Sequence, residues 1–240
     1  MKKILISLLF TTVTLGIVAQ ETQKDTVAVM ILQKMSDVIG DLNSVSFDLN
    51  TSVDVINYEY GIETRFGHDQ VYMVGPDKML IHAYGPKGHR GFWYNGKVFT
   101  YYSFDENNYA DINAPATIIE TIDTIHKMYG ILFPAADFFY PTFTQDVLDY
   151  FDNVIYLGQK KIDEKDCFHV LATNKDLIAQ FWISNDAFNL PKKYILIYKD
   201  KENMHYEASF SNWQLNPEIP LSAFEFLPPP QAQRISILAK

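Results

Sequence analysis

The sequence predicts an α+β fold: a curved antiparallel sheet of about eleven strands, one helix before it and a helical insertion within it. Three observations lead there. Val45, Phe47, Leu49, Val53 and Val55 alternate with Ser46, Asp48, Asn50, Ser52 and Asp54, and such a period of two marks a long strand buried on one face. Arg90 to Ile112 reads as one hairpin after another, with Asn95-Gly96 and Asp105 to Asn108 as turns between aromatic and β-branched runs. Asn-Gly predicts a tight type I′ turn with positive φ at both central residues. Helical periodicity, by contrast, is confined to the stretches 25–42 and 117–152.

The elements follow in order. Residues 1–19 read as a secretory leader, with Lys2-Lys3 as the positive start, Ile4 to Val18 as the apolar run and Ile17-Val18-Ala19 as the cleavage site before Gln20. Ser7, Thr11, Thr12, Thr14 and Gly16 interrupt the run, and Glu21 to Asp25 follow it at once, which argues against a membrane anchor. No cysteine lies near the junction, so the mature chain is expected in the periplasm without a lipid anchor. Residues 20–240 are expected to form a single domain, because no linker-like stretch divides them.

Asp25 to Leu42 is a helix capped by Asp25 or Thr26, with Val27, Ile31, Met35, Val38 and Leu42 on one face. After the alternating strand, Gly61 allows a turn, and Ile62 to Val74 continues the sheet with Ile62, Phe66, Tyr72 and Val74 in phase. Lys78 to Tyr84 is the next strand, followed by the hairpins. Thr117 and Glu120 form a capping box, Ile118, Ile122, Ile125 and Tyr129 make a helical stripe, and Gly130 ends it. Pro134 to Tyr140 and Thr144 to Asp152 read as short helices. Strands then run over Val154 to Ile162, Cys167 to Thr173, Ile178 to Ser184, Lys192 to Lys199 and Met204 to Trp213, before the stiff Pro228-Pro229-Pro230 tail.

Charge and cysteine content narrow the function. The 240-residue chain carries a net charge of −9, and loss of the leader with its two lysines makes it more acidic. Nucleic acid and anionic lipid headgroups are therefore poor partners. Cys167 is the only cysteine, so the fold rests on its core rather than on a disulfide. The 17 Phe, 15 Tyr and 3 Trp residues supply that core.

A series of short motifs carries a family resemblance. They are Met35-Ser36-Asp37, Gly75-Pro76-Asp77-Lys78-Met79, Arg90-Gly91-Phe92-Trp93-Tyr94-Asn95-Gly96-Lys97 and Asn108-Tyr109-Ala110. Ala114-Pro115-Ala116-Thr117-Ile118, Lys127-Met128-Tyr129-Gly130, Pro134-Ala135-Ala136-Asp137 and Tyr156-Leu157-Gly158 continue it, and Cys167-Phe168-His169, Leu190-Pro191-Lys192-Lys193 and Asn212-Trp213 close it. With these motifs the chain resembles a family of predicted periplasmic proteins of unknown function. That family's fold is similar to the lipoprotein-carrier fold of LolA, LppX and the sensor domain of RseB. The resemblance implies an open half-barrel of antiparallel strands, with helices on the concave side of the sheet and an apolar concavity that the carriers use for acyl chains. It implies no set of functional residues.

The candidates for chemistry read mostly as structure. Cys167 and His169 stand two apart on one strand and share a face. A nucleophile also needs an oriented base and an oxyanion site, and none is adjacent in sequence. His68, His82, His89, His126 and His205 follow no metal-binding spacing, so neither metal nor cofactor is expected. Asp105 to Asn108 lacks the alternating oxygens of a calcium loop. Asp137 reads as a cap or ion-pair partner, and Lys192-Lys193 as a solvated strand start.

The aromatic stripes point to a ligand surface. The expected concavity is lined by Phe47, Leu49, Phe66, Tyr72, Phe99, Tyr101, Trp182 and Phe210, with Ile118 and Ile122 at its mouth. The favoured function is a non-enzymatic periplasmic protein that binds a hydrophobic small molecule, a lipid or a lipoprotein. A second reading is an envelope sensor that binds a partner protein without lipid cargo. A more distant third is a hydrolase built on Cys167 and His169. Lipid co-purifying with the protein separates the first from the others.

Overall fold

The computed structural model describes residues 22–239; the expected leader and its cleavage site lie outside these residues. The chain enters through helix α1, Thr26–Gly40. Asp25 starts it, accepting from the Val27 amide at 2.8 Å through Oδ1, while its Oδ2 accepts from the Tyr156 amide at 3.2 Å. One carboxylate thus caps the helix and ties it to the sheet. The face α1 buries is Ala28, Ile31, Leu32, Met35 and Ile39. Val27, expected inside, is exposed, because the buried stripe is rotated toward Ala28 and Leu32.

The strands are β1 Ser44–Asn57, β2 Gly61–Val74, β3 Lys78–Gly85, β4 Gly88–Tyr94, β5 Val98–Ser103 and β6 Asn108–Asn113. The insertion follows, with α2 Ile118–Tyr129, a tight helical turn Ala136–Phe139 and α3 Phe143–Tyr150. The second set of strands is β7 Asn153–Ile162, β8 Lys165–Thr173, β9 Leu177–Ser184, β10 Pro191–Tyr198 and β11 Met204–Leu215, with a two-residue β12, Gln233–Arg234. All lie in one sheet ordered β12-β6-β5-β4-β3-β2-β1-β11-β10-β9-β8-β7. The long hairpin β1–β2 is its centre, and each half grows outward by hairpins. Among the described strands every pairing is antiparallel except β12 with β6, and Lys24, ahead of α1, adds an isolated parallel bridge to Val154 of β7. This is the expected open half-barrel, with one strand more than expected because the tail returns to the sheet edge.

The two hairpin turns differ from expectation. At Asn95-Gly96 only Gly96 has positive φ, at 90°. Asn95 instead folds its side chain onto the turn, its Oδ1 accepting from the amides of Lys97 and Val98 at 3.1 and 3.0 Å. At Asp105 to Asn108 only Asn107 has positive φ. Both are wider loops closed by side chains, not two-residue type I′ turns. Half of the expected capping box on α2 is formed: Thr117 Oγ1 accepts from the Glu120 amide at 3.3 Å, while Glu120 Oε2 accepts from the Thr117 hydroxyl at 2.9 Å rather than from its amide.

Strand register decides which side chains face the helices. Phe47 pairs with Val71, Leu49 with Asp69 and Val45 with Met73. Across the first half this places Val71, Ile81 and Phe92 in one concave row and Met73, Met79, Tyr94 and Phe99 in the next. Across the second half Ala208, Tyr194, Phe181 and Val170 form a concave row. Phe66 and Tyr72 pair with Ser52 and Ser46 and so lie on the convex face; Phe66 is 71% exposed. Trp182 also points to the convex face, opposite in phase to Phe181, and stacks on His169 at 4.4 Å. The expectation that these three line the concavity is therefore corrected. Over β4–β6 the tail packs on the convex face, where Phe226 meets Trp93, Tyr102 and Tyr109.

Candidate functional site

The concave face is unevenly filled. Over β1–β5 the insertion packs directly onto the sheet. Phe139 stacks on Phe47 at 5.6 Å, and Phe133 meets Phe92 and Phe99 edge-on at 5.8 and 5.9 Å. Ile118 and Ile122 of α2 close over Val71, Met73, Met79 and Ile81, and the space left between them is about 30 Å³. Phe47, Leu49, Phe99 and Phe210 are thus on the expected face, but they are wholly or almost wholly buried. Tyr101 is on the same face and partly buried. The helix residues expected at the mouth lie instead at the packed interface.

The more apolar open space lies over the other half, a more polar one being left at the edge between β6, the end of α2 and the tail. A groove of about 420 Å³ runs between the sheet and the Ala136–Phe139 turn with α3. Its sheet side is Ala179 and Phe181 of β9 with Tyr194 and Leu196 of β10. Its helical side is Phe138, Phe143, Val147 and Phe151. The rings interlock around it, with Phe138 stacked on Phe143 at 4.9 Å and edge-on to Phe181 and Tyr194 at 6.1 and 5.2 Å. Of the groove residues, sequence reasoning singles out only Asp137, and as a cap or ion-pair partner rather than as part of a site. The usable signals were the alternation Ala179, Phe181, Ile183 and the helical pair Phe143, Val147.

Local anchors hold the helical wall. Ser36 of α1 and Thr144 of α3 share a hydroxyl hydrogen bond at 2.9 Å. Lys24 Nζ donates to the carbonyls of Leu148 and Phe151 at the end of α3, where a cation also suits the helix dipole. At the rim Tyr140 donates its hydroxyl to Asp123 at 2.5 Å, and burial followed by that carboxylate holds the phenol well above its usual range. The Asp137 side chain reaches solvent, yet the apolar walls, and then the charges of Asp146 and Asp123, push its carboxyl up. Tyr194, among the buried rings, is raised first by burial.

The other candidates are spread apart. Cys167 is fully buried, its thiol pushed up by burial, and Sγ lies 3.6 Å from the Lys165 carbonyl. His169 Nε2 lies 3.0 Å from Gln180 Oε1, and burial lowers its pKa. Among the described residues no group of three or more His, Cys, Asp or Glu is arranged to hold a metal ion. Lys192 and Lys193 pair with Asp163 and Glu207.

An open antiparallel half-barrel wrapped around its own helices, with one apolar groove left on the concave side, defines the class of this protein. The chain belongs to the family described as predicted periplasmic protein DUF2092, which matches residues 28–238. None of the curated proteins matches it. Among solved structures it is similar to an uncharacterized conserved protein from Thermus thermophilus, at 9% identity and TM-score 0.50, covering 87% of this chain and 98% of that one. MucB is similar at 9% identity and TM-score 0.50, with 85% of this chain and 64% of MucB covered. The lipoprotein LppX of Mycobacterium tuberculosis matches at 13% identity and TM-score 0.48 over 82% of this chain and all of LppX. At such identities the likeness is one of fold. Among the described residues no helix is long and apolar enough to cross a membrane.

Proposed function

We propose that the protein is a non-enzymatic periplasmic binding protein that receives the apolar part of a lipid or acylated molecule in the groove between β9–β10 and α3. The observation that carries this reading is the groove itself. Its volume of about 420 Å³ falls in the range of ligand sites, and its walls are aromatic and aliphatic side chains held rigidly by one another. Each methylene buried there contributes about 0.8 kcal/mol, against an association cost of about 4–15 kcal/mol. A single chain is then held reversibly, as suits a carrier.

The same reading takes residues 20–240 as one domain, released after leader cleavage and without a lipid anchor. Non-enzymatic action fits the state of Cys167, whose raised thiol pKa opposes thiolate formation. The envelope-sensor reading keeps one observation in its favour: α2 fills half of the concavity with the protein's own side chains, leaving about 30 Å³.

Two measurements test the proposal. Native mass spectrometry of protein expressed in the periplasm, followed by solvent extraction, should reveal a bound apolar molecule. The uncharged fluorescent probe N-phenyl-1-naphthylamine should bind the wild type and not Ala179→Trp, whose indole fills the groove. Absence of any bound molecule together with absence of probe binding moves the assignment to the sensor reading.

A further inference from the structure

The groove has an apolar interior and a rim of a single sign. Asp123, Asp137 and Asp146 all line it, and among the described residues no Lys, Arg or His does. Among the described residues none of the three carboxylates lies within ion-pair distance of a cationic side chain. Their hydrogen-bonding side-chain partners are neutral: Tyr140 donates to Asp123 at 2.5 Å, and Thr142 donates to Asp146 Oδ2 at 2.6 Å. Asp137 receives no side-chain donor. His126 is near enough to act weakly on Asp137, yet its Nδ1 is turned toward the Ile131 carbonyl at 3.3 Å. The fields of the three acids overlap, since Asp146 and Asp123 both act on Asp137.

Such an arrangement is costly unless something completes it. Like charges beside an apolar wall repel one another and are screened less than on an open surface. Elsewhere the chain neutralises acids near its sheet with lysines, as at Lys193 with Glu207 and Lys78 with Asp77. At the groove it does not.

We propose that the groove selects a cationic amphiphile, whose apolar chain lies against Phe138, Phe143 and Phe181 while its ammonium head sits among Asp123, Asp137 and Asp146. The inference rests on the apolar-ligand reading above and names the ligand's head. An anionic head would meet three carboxylates and no cationic donor. A neutral head would leave the acids uncompensated. An ammonium head gains their attraction and lies close to Tyr140 and Tyr150, which also line the groove; a cation near an aromatic ring is favourable.

The test compares three amphiphiles with the same ten-carbon chain: decyltrimethylammonium, decyldimethylamine oxide and decanoate. Titration calorimetry on the mature protein at neutral pH, below micellar concentrations, should give affinities in that order, with the cation at least about tenfold tighter than the anion. Asp123→Asn/Asp137→Asn/Asp146→Asn should bring the three affinities within about twofold of one another while leaving the amine oxide unchanged. Asp137→Asn alone should shrink the preference part of the way, and serves if the triple variant does not fold by circular dichroism. Glu59→Gln/Glu164→Gln/Glu218→Gln, which removes three exposed charges away from the groove residues in sequence, should keep the preference and so exclude an effect of net charge. Equal affinities in the wild type, or a preference that survives the groove substitutions, overturn the cationic selection and leave the apolar-ligand reading standing. If none of the three binds, both fall.

Discussion

Asp69 occupies a concave position that the strand pattern would assign to an apolar residue, opposite Leu49 and Ala83. Burial pushes its carboxyl up to about 6, against the weaker pull of His68 and Arg90. The folded state therefore holds a proton that the unfolded chain releases near pH 4. Stability is greatest below that value and falls as pH rises through about 6, by about 3 kcal/mol in all. Asp69→Asn should erase this fall and be more stable than wild type at pH 7, as read from urea midpoints across the range. Parallel curves for the two proteins would show that burial exerts no such pull. Leu49 behaves differently. It is fully buried, so Leu49→Arg should cost several kcal/mol by stranding a charge, and thermal unfolding will show a loss of fold rather than a selective loss of binding. Cys167→Ser should keep probe binding and lose about 1–2 kcal/mol, because a hydroxyl replaces a buried thiol.

At the scale of elements, Asp25 is the joint between α1 and the sheet, with one oxygen on the Val27 amide and the other on the Tyr156 amide. Asp25→Ala should destabilise the protein by about 1–2 kcal/mol, and hydrogen exchange should show the loss at the start of α1 and in β7 together. Exchange confined to α1 would mean that the bond to β7 carries nothing. The hairpin β1–β2 shows why some phases were misread. Its paired residues close on Asn57 and Gly61, with Tyr58, Glu59 and Tyr60 between them. That loop length makes the odd-numbered residues of both strands share a face. In β2 the odd set contains Glu63, Arg65 and Asp69, while the even set contains Ile62, Phe66 and Tyr72. Hydrophobic periodicity alone favours the even set. Register, locked by Phe47 against Val71, overrides it.

At the scale of the whole molecule, the groove exists because the insertion covers the sheet unequally. Phe133 and Phe139 fill the space over β1–β5, whereas α3 meets β9 edge-on through Phe143 and Phe181 and leaves a groove of about 420 Å³ beside that contact. Ala179→Trp should abolish probe binding at a stability cost of about 1–3 kcal/mol, which equilibrium fluorescence titration and urea unfolding measure separately. Retained binding in that variant would place the ligand elsewhere. The strands, the helices, both helix caps and the open antiparallel sheet were legible in the sequence, as was the inward face of Phe47, Leu49, Phe99 and Phe210, though these four are packed in the core rather than open to a ligand. The site was not. Phe181 and Trp182 are adjacent aromatic residues in a strand apolar on both faces, and only pairing with Val170 and His169 separates them.

The sequence by itself determined where the helices and strands β1–β11 lie, though not the returning β12, because alternation, helical stripes and capping residues are local and act within a few residues of chain. It also determined that the acidic chain has one thiol and a large aromatic core. Only the tertiary structure decided which phase of each strand faces inward, since that depends on hairpin register and on partners far away in sequence. It alone decided that the insertion packs tightly over one half of the concavity and leaves a groove over the other, because the fit of Phe139 on Phe47 and the edge contact of Phe143 with Phe181 are set by packing between segments more than thirty residues apart.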